Sequence, residues 1–165
     1  MFRPMVISGL RIDPLTNGPI VILKEVEGER TLPIWIGLLE ATAIASELEG
    51  IKFNRPMTHD LLKSIMDEIS LKINKIEVCD LRNNTYYALI YMNFQGKEIS
   101  IDARPSDALA LSLRVNAPIF VSEDVIVKSS QIDLSAEPED KTEQGKKWQE
   151  ILEKLNPEDF GKYKM

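Results

Sequence analysis

Two Arg-Pro dipeptides, Arg55-Pro56 and Arg104-Pro105, each stand just ahead of a hydroxyl residue and an aspartate. The first continues as Met57-Thr58-His59-Asp60-Leu61 and the second as Ser106-Asp107-Ala108-Leu109. A proline presets the backbone for a helix start, and an acid in the first turn complements the positive helix end. Both runs are therefore expected to begin helices, with Thr58 as the N-cap of the first. A guanidinium placed there can grip an oxyanion in a forked bond, and the unpaired amides of the helix end can share it. The likeness of the two runs is that of a weak internal repeat, which either a duplicated β-α unit or coincidence would give.

His59 is the single histidine of the chain. Its ring is the side chain best suited to moving a proton near neutrality. The second corner gathers Asp102, Arg104, Ser106 and Asp107 within six residues. Three readings stay open there. An Asp102–Arg104 or Asp107–Arg104 ion pair would simply stiffen the corner. Arg104 with the helix end would hold a phosphate. Asp102 and Asp107 together would hold a divalent metal, since hard cations take carboxylates and water. Glu40 is the third candidate. It lies in an otherwise apolar helical stretch with Ile36, Ala43 and Ile44 at neighbouring helical positions. A carboxylate in such company needs a partner or a site, and Arg55 or Arg104 is the expected partner.

The elements that must carry these residues follow from periodicity and punctuation. Met5–Ile12, Pro19–Val26 and Arg30–Ile36 read as three strands of a meander, with Pro33 marking an edge or a bulge. Leu38–Leu48 and Thr58–Ile69 read as helices, the second with Leu61, Leu62, Ile65, Met66 and Ile69 on its apolar face. Lys72–Leu81, Thr85–Phe94 and Lys97–Ala103 form a second meander, with Ile99 and Ile101 on one face of the last strand. Pro105–Val115 is a helix, Pro118–Val121 a short strand, and Glu123–Ser130 a short helix or an extended piece. The expected architecture is α+β: mainly antiparallel sheet or sheets from two β-meanders, packed with three core helices, plus a short C-terminal helix. The expected organisation is a domain over 1–132, an acidic linker or loop over 133–144, and a helix with a docking tail over 145–165.

Composition narrows the function classes. The chain has 165 residues, is 44% hydrophobic, and carries a formal charge of −6. Residues 1–121 hold a net −2 and the remaining 44 a net −4. No basic footprint of a strong duplex binder stands out. One cysteine, Cys79, excludes an intramolecular disulfide and is expected in the core. With one histidine and one cysteine, a zinc centre is not expected, and Cys79 lacks the surroundings that would activate it beside His59. There is no P-loop, GxGxxG, GxSxG or HExxH run. No membrane span or signal peptide is visible, so a cytoplasmic location is expected, without membrane association. Apolar strand content in a small chain points to a homodimer or other homo-oligomer.

Several stretches together resemble the bifunctional nuclease family. They are Leu32-Pro33-Ile34-Trp35-Ile36-Gly37 with Glu40-Ala41 and Ala43-Ile44, and Arg55-Pro56-Met57-Thr58-His59-Asp60-Leu61-Leu62. Ile101 to Leu111 follows as IDARPSDALAL, then Arg114, Pro118-Ile119, and the ending Asn156 to Tyr163. The resemblance implies an α+β domain that cleaves DNA and RNA phosphodiesters, with nucleic acid as partner and Mg²⁺ or Mn²⁺ as cofactor. On that reading Glu40, His59, Asp60, Asp102 and Asp107 are the catalytic candidates, and Asp102 and Asp107 the metal ligands. Arg55, Arg104, Ser106 and Arg114 would hold phosphate. The competing reading is a non-catalytic binding or assembly module whose Arg-Pro corners are structural or bind a small anion.

Overall fold

The computed structural model describes residues 1–131. The expected linker over 133–144 and the helix and tail over 145–165 lie outside the described residues. Three strands open the chain: β1 (Phe2–Ile12), β2 (Pro19–Glu25) and β3 (Thr31–Trp35). Two helices follow, α1 (Leu38–Leu48) and α2 (Thr58–Glu68). A second meander comprises β4 (Lys72–Arg82), β5 (Thr85–Phe94) and β6 (Lys97–Ala103). Helix α3 (Pro105–Val115), strand β7 (Ile119–Ser122) and helix α4 (Glu123–Ser129) complete the described residues.

The two meanders are halves of one seven-stranded sheet in the order β3-β2-β1-β7-β4-β5-β6. The short β7 joins them. It runs antiparallel to β1, with Met5 opposite Ile119, and parallel to β4, with Val78 opposite Val121. All other strand pairs are antiparallel. The sheet curls strongly. The Tyr86 hydroxyl of β5 donates to the Pro33 carbonyl of β3 at 3.0 Å, across four intervening strands. In a flat sheet that separation would be about 24 Å. Burial pushes the Tyr86 phenol up to about 12. Pro33 lies on an edge strand, where its missing N–H leaves no ladder bond unmade.

One sheet face carries the core. Val21, Leu23, Leu32, Ile34, Ile76, Val78, Ala88, Ile90 and Val121 are buried in one cluster with Ile44 of α1, Ala108 to Leu111 of α3 and Val125 of α4. Helix α3 is buried almost along its length because Ser106, Ala108, Ala110 and Ser112 are small enough for the sheet and other helices to close around it. It packs on β4 and β5, and α1 and α2 pack on it. Its C-terminal carbonyls are closed by Asn116, which adopts the left-handed conformation at φ 54°. A second charged cluster joins the N-terminal strands to α4. Arg30 bonds Glu25 at 2.6 Å and Glu123 at 3.3 Å, while Arg3 also holds Glu123.

Helix α2 is held through polar contacts. The Arg114 side chain, only 4% exposed, donates from Nε to Asp60 Oδ1 at 2.7 Å. Its Nη1 donates to the carbonyls of Ala43 and Ala110 at 3.1 and 2.9 Å. One guanidinium thus ties α1, α2 and α3 together. Thr58 is not the N-cap expected from the sequence: it is the first helical residue, and Met57 occupies the cap. The orphan Met57 N–H is instead satisfied by the Asp60 carboxylate at 3.1 Å. The two Arg-Pro runs also differ. Arg104 is the N-cap of α3 with Pro105 in its first turn, whereas Pro56 precedes the cap of α2.

Removing one partner of a buried ion pair strands the other charge. Arg114→Ala is therefore expected to lower unfolding stability by about 3–5 kcal/mol in urea titration. Burial alone would raise the Asp60 carboxyl, but the Arg114 and Met57 hydrogen bonds and the charge of Arg114 hold it below its ordinary 3.8. A depressed carboxyl contributes stability above its unfolded-state pKa and loses it as pH falls through the folded one. The stability gap between wild type and Asp60→Asn should therefore close as pH falls below about 4, read as melting temperature against pH.

Candidate active site

The two corners converge on one cleft of about 290 Å³. Glu40, Thr42 and Ser46 of α1, Thr58 and His59 of α2, and Arg104, Asp107 and Arg114 of the α3 corner line it. Leu39, Phe53 and Met57 form an apolar part of the wall. Four side chains form a continuous chain of charged hydrogen bonds. Arg104 Nη1 donates to Glu40 Oε1 at 2.8 Å, and its Nε donates to Asp107 Oδ2 at 2.9 Å. The other oxygen, Asp107 Oδ1, accepts from His59 Nε2 at 2.9 Å.

This last bond sets the chemistry of the ring. A carboxylate only accepts, so Nε2 carries the proton and Nδ1 of a neutral ring carries the lone pair. Nδ1 has no protein partner among the described residues, and no buried side-chain nitrogen or oxygen there is left unpaired. The side chain is 11% exposed and lines the cleft, with Nε2 fixed by an acid.

Glu40 reaches Arg104 across 64 residues of sequence. Its carboxylate folds back over Gly37, the N-cap of α1, and a Cβ on Gly37 would run into it. Sequence reasoning missed this role of Gly37. The signal was there in the spacing of a cap residue and an acid three positions on. The apolar wall of Leu39, Phe53 and Met57 carried no comparable signal, because these residues are scattered over a helix start and a loop.

The structure brings Glu40, His59, Arg104, Asp107 and, through Arg114, Asp60 to one place. It does not bring Asp102 there. Along β6, Ile101 and Ala103 lie on the sheet face of their partners Ile90 and Ala88, so Asp102, opposite Leu89, stands on the other sheet face. An Asp102–Arg104 pair does not form, and Asp102 and Asp107 do not meet around a shared ion. Arg55 is exposed and makes no hydrogen bond or ion pair among the described residues; it does not line the cleft. Ser106 is buried in the first turn of α3. Arg114 lines the cleft but spends its donors on Asp60 and two carbonyls. Glu47 is exposed. Trp35 donates to Asp13 at 3.0 Å and does not line the cleft. Cys79 is half-buried rather than core, and burial pushes its thiol up, away from a nucleophilic thiolate.

Among the described residues no group of three or more His, Cys, Asp or Glu side chains is placed to hold a metal ion. The carboxylates in the cleft are engaged by guanidinium, imidazole or a backbone amide. With Glu40 and Asp107 both drawn onto Arg104 and no third carboxylate grouped with them, the described cleft does not suit Mg²⁺ or Mn²⁺, which take clusters of oxygen ligands. No helix among the described residues is long and apolar enough to cross a membrane.

Residues 21–134 match the model of the bifunctional nuclease domain. The chain is 35% identical over 159 residues to an uncharacterised protein of Mycobacterium tuberculosis, covering 93% of this chain and 95% of that protein. It is 25% identical over 113 residues to Bifunctional nuclease 1 of Oryza sativa subsp. japonica, covering 67% of this chain and 34% of the plant protein. Bifunctional nuclease 1 of Arabidopsis thaliana is 24% identical over 109 residues, covering 64% of this chain and 34% of its own length. With the domain matched over most of its length, the chain belongs to the bifunctional nuclease domain family.

Proposed function

We propose that the cleft between α1, α2 and α3 is the active site of a nuclease that cleaves nucleic-acid phosphodiesters. The observation that carries this reading is the His59–Asp107 pair: a ring that lines the cleft with one nitrogen held by an acid and no protein partner for the other among the described residues. In this reading His59 Nδ1 takes the proton of the attacking hydroxyl or water as its oxygen bonds phosphorus, and the imidazolium so formed returns that proton to the oxygen that leaves as the other P–O bond breaks; Asp107 positions the ring and balances the charge it gains. Arg104, at the mouth of α3, meets the phosphate oxygens, where negative charge builds in the transition state. Glu40 and Asp107 orient the Arg104 fork between them. Asp60 and Arg114 act at one remove by fixing α2, which presents His59. The plant relatives named as nucleases support the reaction class. The expected Mg²⁺ or Mn²⁺ has no fitting donor set in the cleft, so no step of the proposal passes through one.

One observation favours a second reading. Each charged side chain of the cleft already has a partner, as in a structural lock that binds a small anion or a protein without cutting anything. Mutant kinetics separate the two. For the nuclease, His59→Ala should lower kcat on single-stranded RNA or DNA by about 10²–10⁴-fold. Asp107→Asn should lower it less and alter the pH profile. Asp102→Ala, on the opposite sheet face, should leave cleavage unchanged. Cleavage equal in wild type and His59→Ala would point to a contaminant and to the binding reading.

Gly37 gives an independent check. Gly37→Ala should displace the Glu40 carboxylate and loosen Arg104, raising KM as Glu40→Gln does. The two changes act on one contact, so the double variant should be no worse than either single. Additive effects would remove Gly37 from the site.

A further inference from the structure

Helix α2 is turned inside out relative to an ordinary surface helix. Its inward side is anchored by polar contacts, His59 bonding Asp107 and Asp60 bonding Arg114, with Lys63 half-buried beside them and Met66 as its one apolar contact with the core. Its outward side carries Leu61, Leu62, Ile65 and Ile69, which are 53, 42, 49 and 48% exposed. At positions i, i+1, i+4 and i+8 they form one stripe. The polar contacts fix the helix in this orientation, so the stripe cannot rotate into the core. A contiguous apolar stripe of this kind marks an interaction surface.

Two features identify what covers it. The stripe is symmetric about Ile65, with Leu61 and Ile69 four residues to either side, over about 12 Å of helix. Laid antiparallel on its own copy, α2 sets Leu61 against Ile69 and Ile65 against itself, which is the self-complementarity of a two-fold interface. The second feature is charge. The last turn of α2 holds no basic residue; Asp67 there is held by Lys63 at 2.6 Å, but Glu68, flanking the stripe, has no ion-pair partner among the described residues, and the helix's own dipole opposes it. In an antiparallel pair Glu68 lies toward the positive N-terminal turn of the partner helix. We propose that α2 is the interface of an antiparallel, two-fold homodimer centred on Ile65. This proposal does not depend on the cleft being catalytic.

The test uses the full chain. Sedimentation at tens of micromolar should give the mass of a dimer, and Ile65→Asp, which sets like charges face to face on the axis, should give a monomer with an unchanged circular dichroism spectrum. In a Cys79→Ser background, Ile65→Cys should cross-link to itself on mild oxidation. Leu62→Cys should not, because it faces Glu68 across the axis. A monomeric wild type, as would follow if another part of the chain covers the stripe, overturns the proposal. So does a dimer that survives Ile65→Asp, or one that cross-links through Leu62→Cys as readily as through Ile65→Cys.

Discussion

The guanidinium of Arg114 is buried among three helices and has to be satisfied where it stands. It finds Asp60 of α2, the Ala43 carbonyl of α1 and the Ala110 carbonyl of its own helix. An unmet charge there would cost several kcal/mol, so α2 is bound by its polar edge and not by its apolar one. Two consequences follow from that single constraint. His59, next to Asp60 in the chain, is delivered to Asp107 at the mouth of α3. The leucines and isoleucines of α2 are left facing outward. The cleft and the exposed stripe are thus two results of one anchoring.

The cleft itself depends on how closely three chain corners approach. Gly37 lets Glu40 fold back over the start of α1, Arg104 caps α3, and the loop before α2 contributes Phe53 and Met57. Donors and acceptors alternate along Glu40, Arg104, Asp107 and His59, so each group is held by the next. Such a chain has little freedom to reorganise and keeps its donors aimed before any ligand arrives.

Much of this was legible in the sequence. The strands and helices announced themselves through alternation, turn residues and apolar stripes, and the need of Glu40 for a cation pointed to Arg55 or Arg104, of which Arg104 is the one it meets. Asp102 was also readable: with Ile99 and Ile101 on one face of β6, alternation puts Asp102 on the opposite face, and proximity in sequence to Arg104 misled. Arg114 carried no local sign of burial, because arginine is a surface residue by default and its partners lie 54 and 71 residues away. The stripe of α2 was seen, but periodicity reports that a face is apolar and not what covers it. Pro118–Val121 read as a strand, yet nothing in four residues names the two strands it will join.

That last element has a consequence for the order in which the molecule is made. The two halves of the sheet are connected through β7 alone, and β7 is among the last of the described elements to be synthesised. Each meander can form from local contacts as its strands emerge. Their union waits until Ile119 to Ser122 slide between β1 and β4, matching Met5 with a partner more than a hundred residues downstream. Closure of so long a loop is slow compared with hairpin formation. During that interval the facing edges of β1 and β4 stand open to any other unpaired strand, including those of a sister chain on the same message.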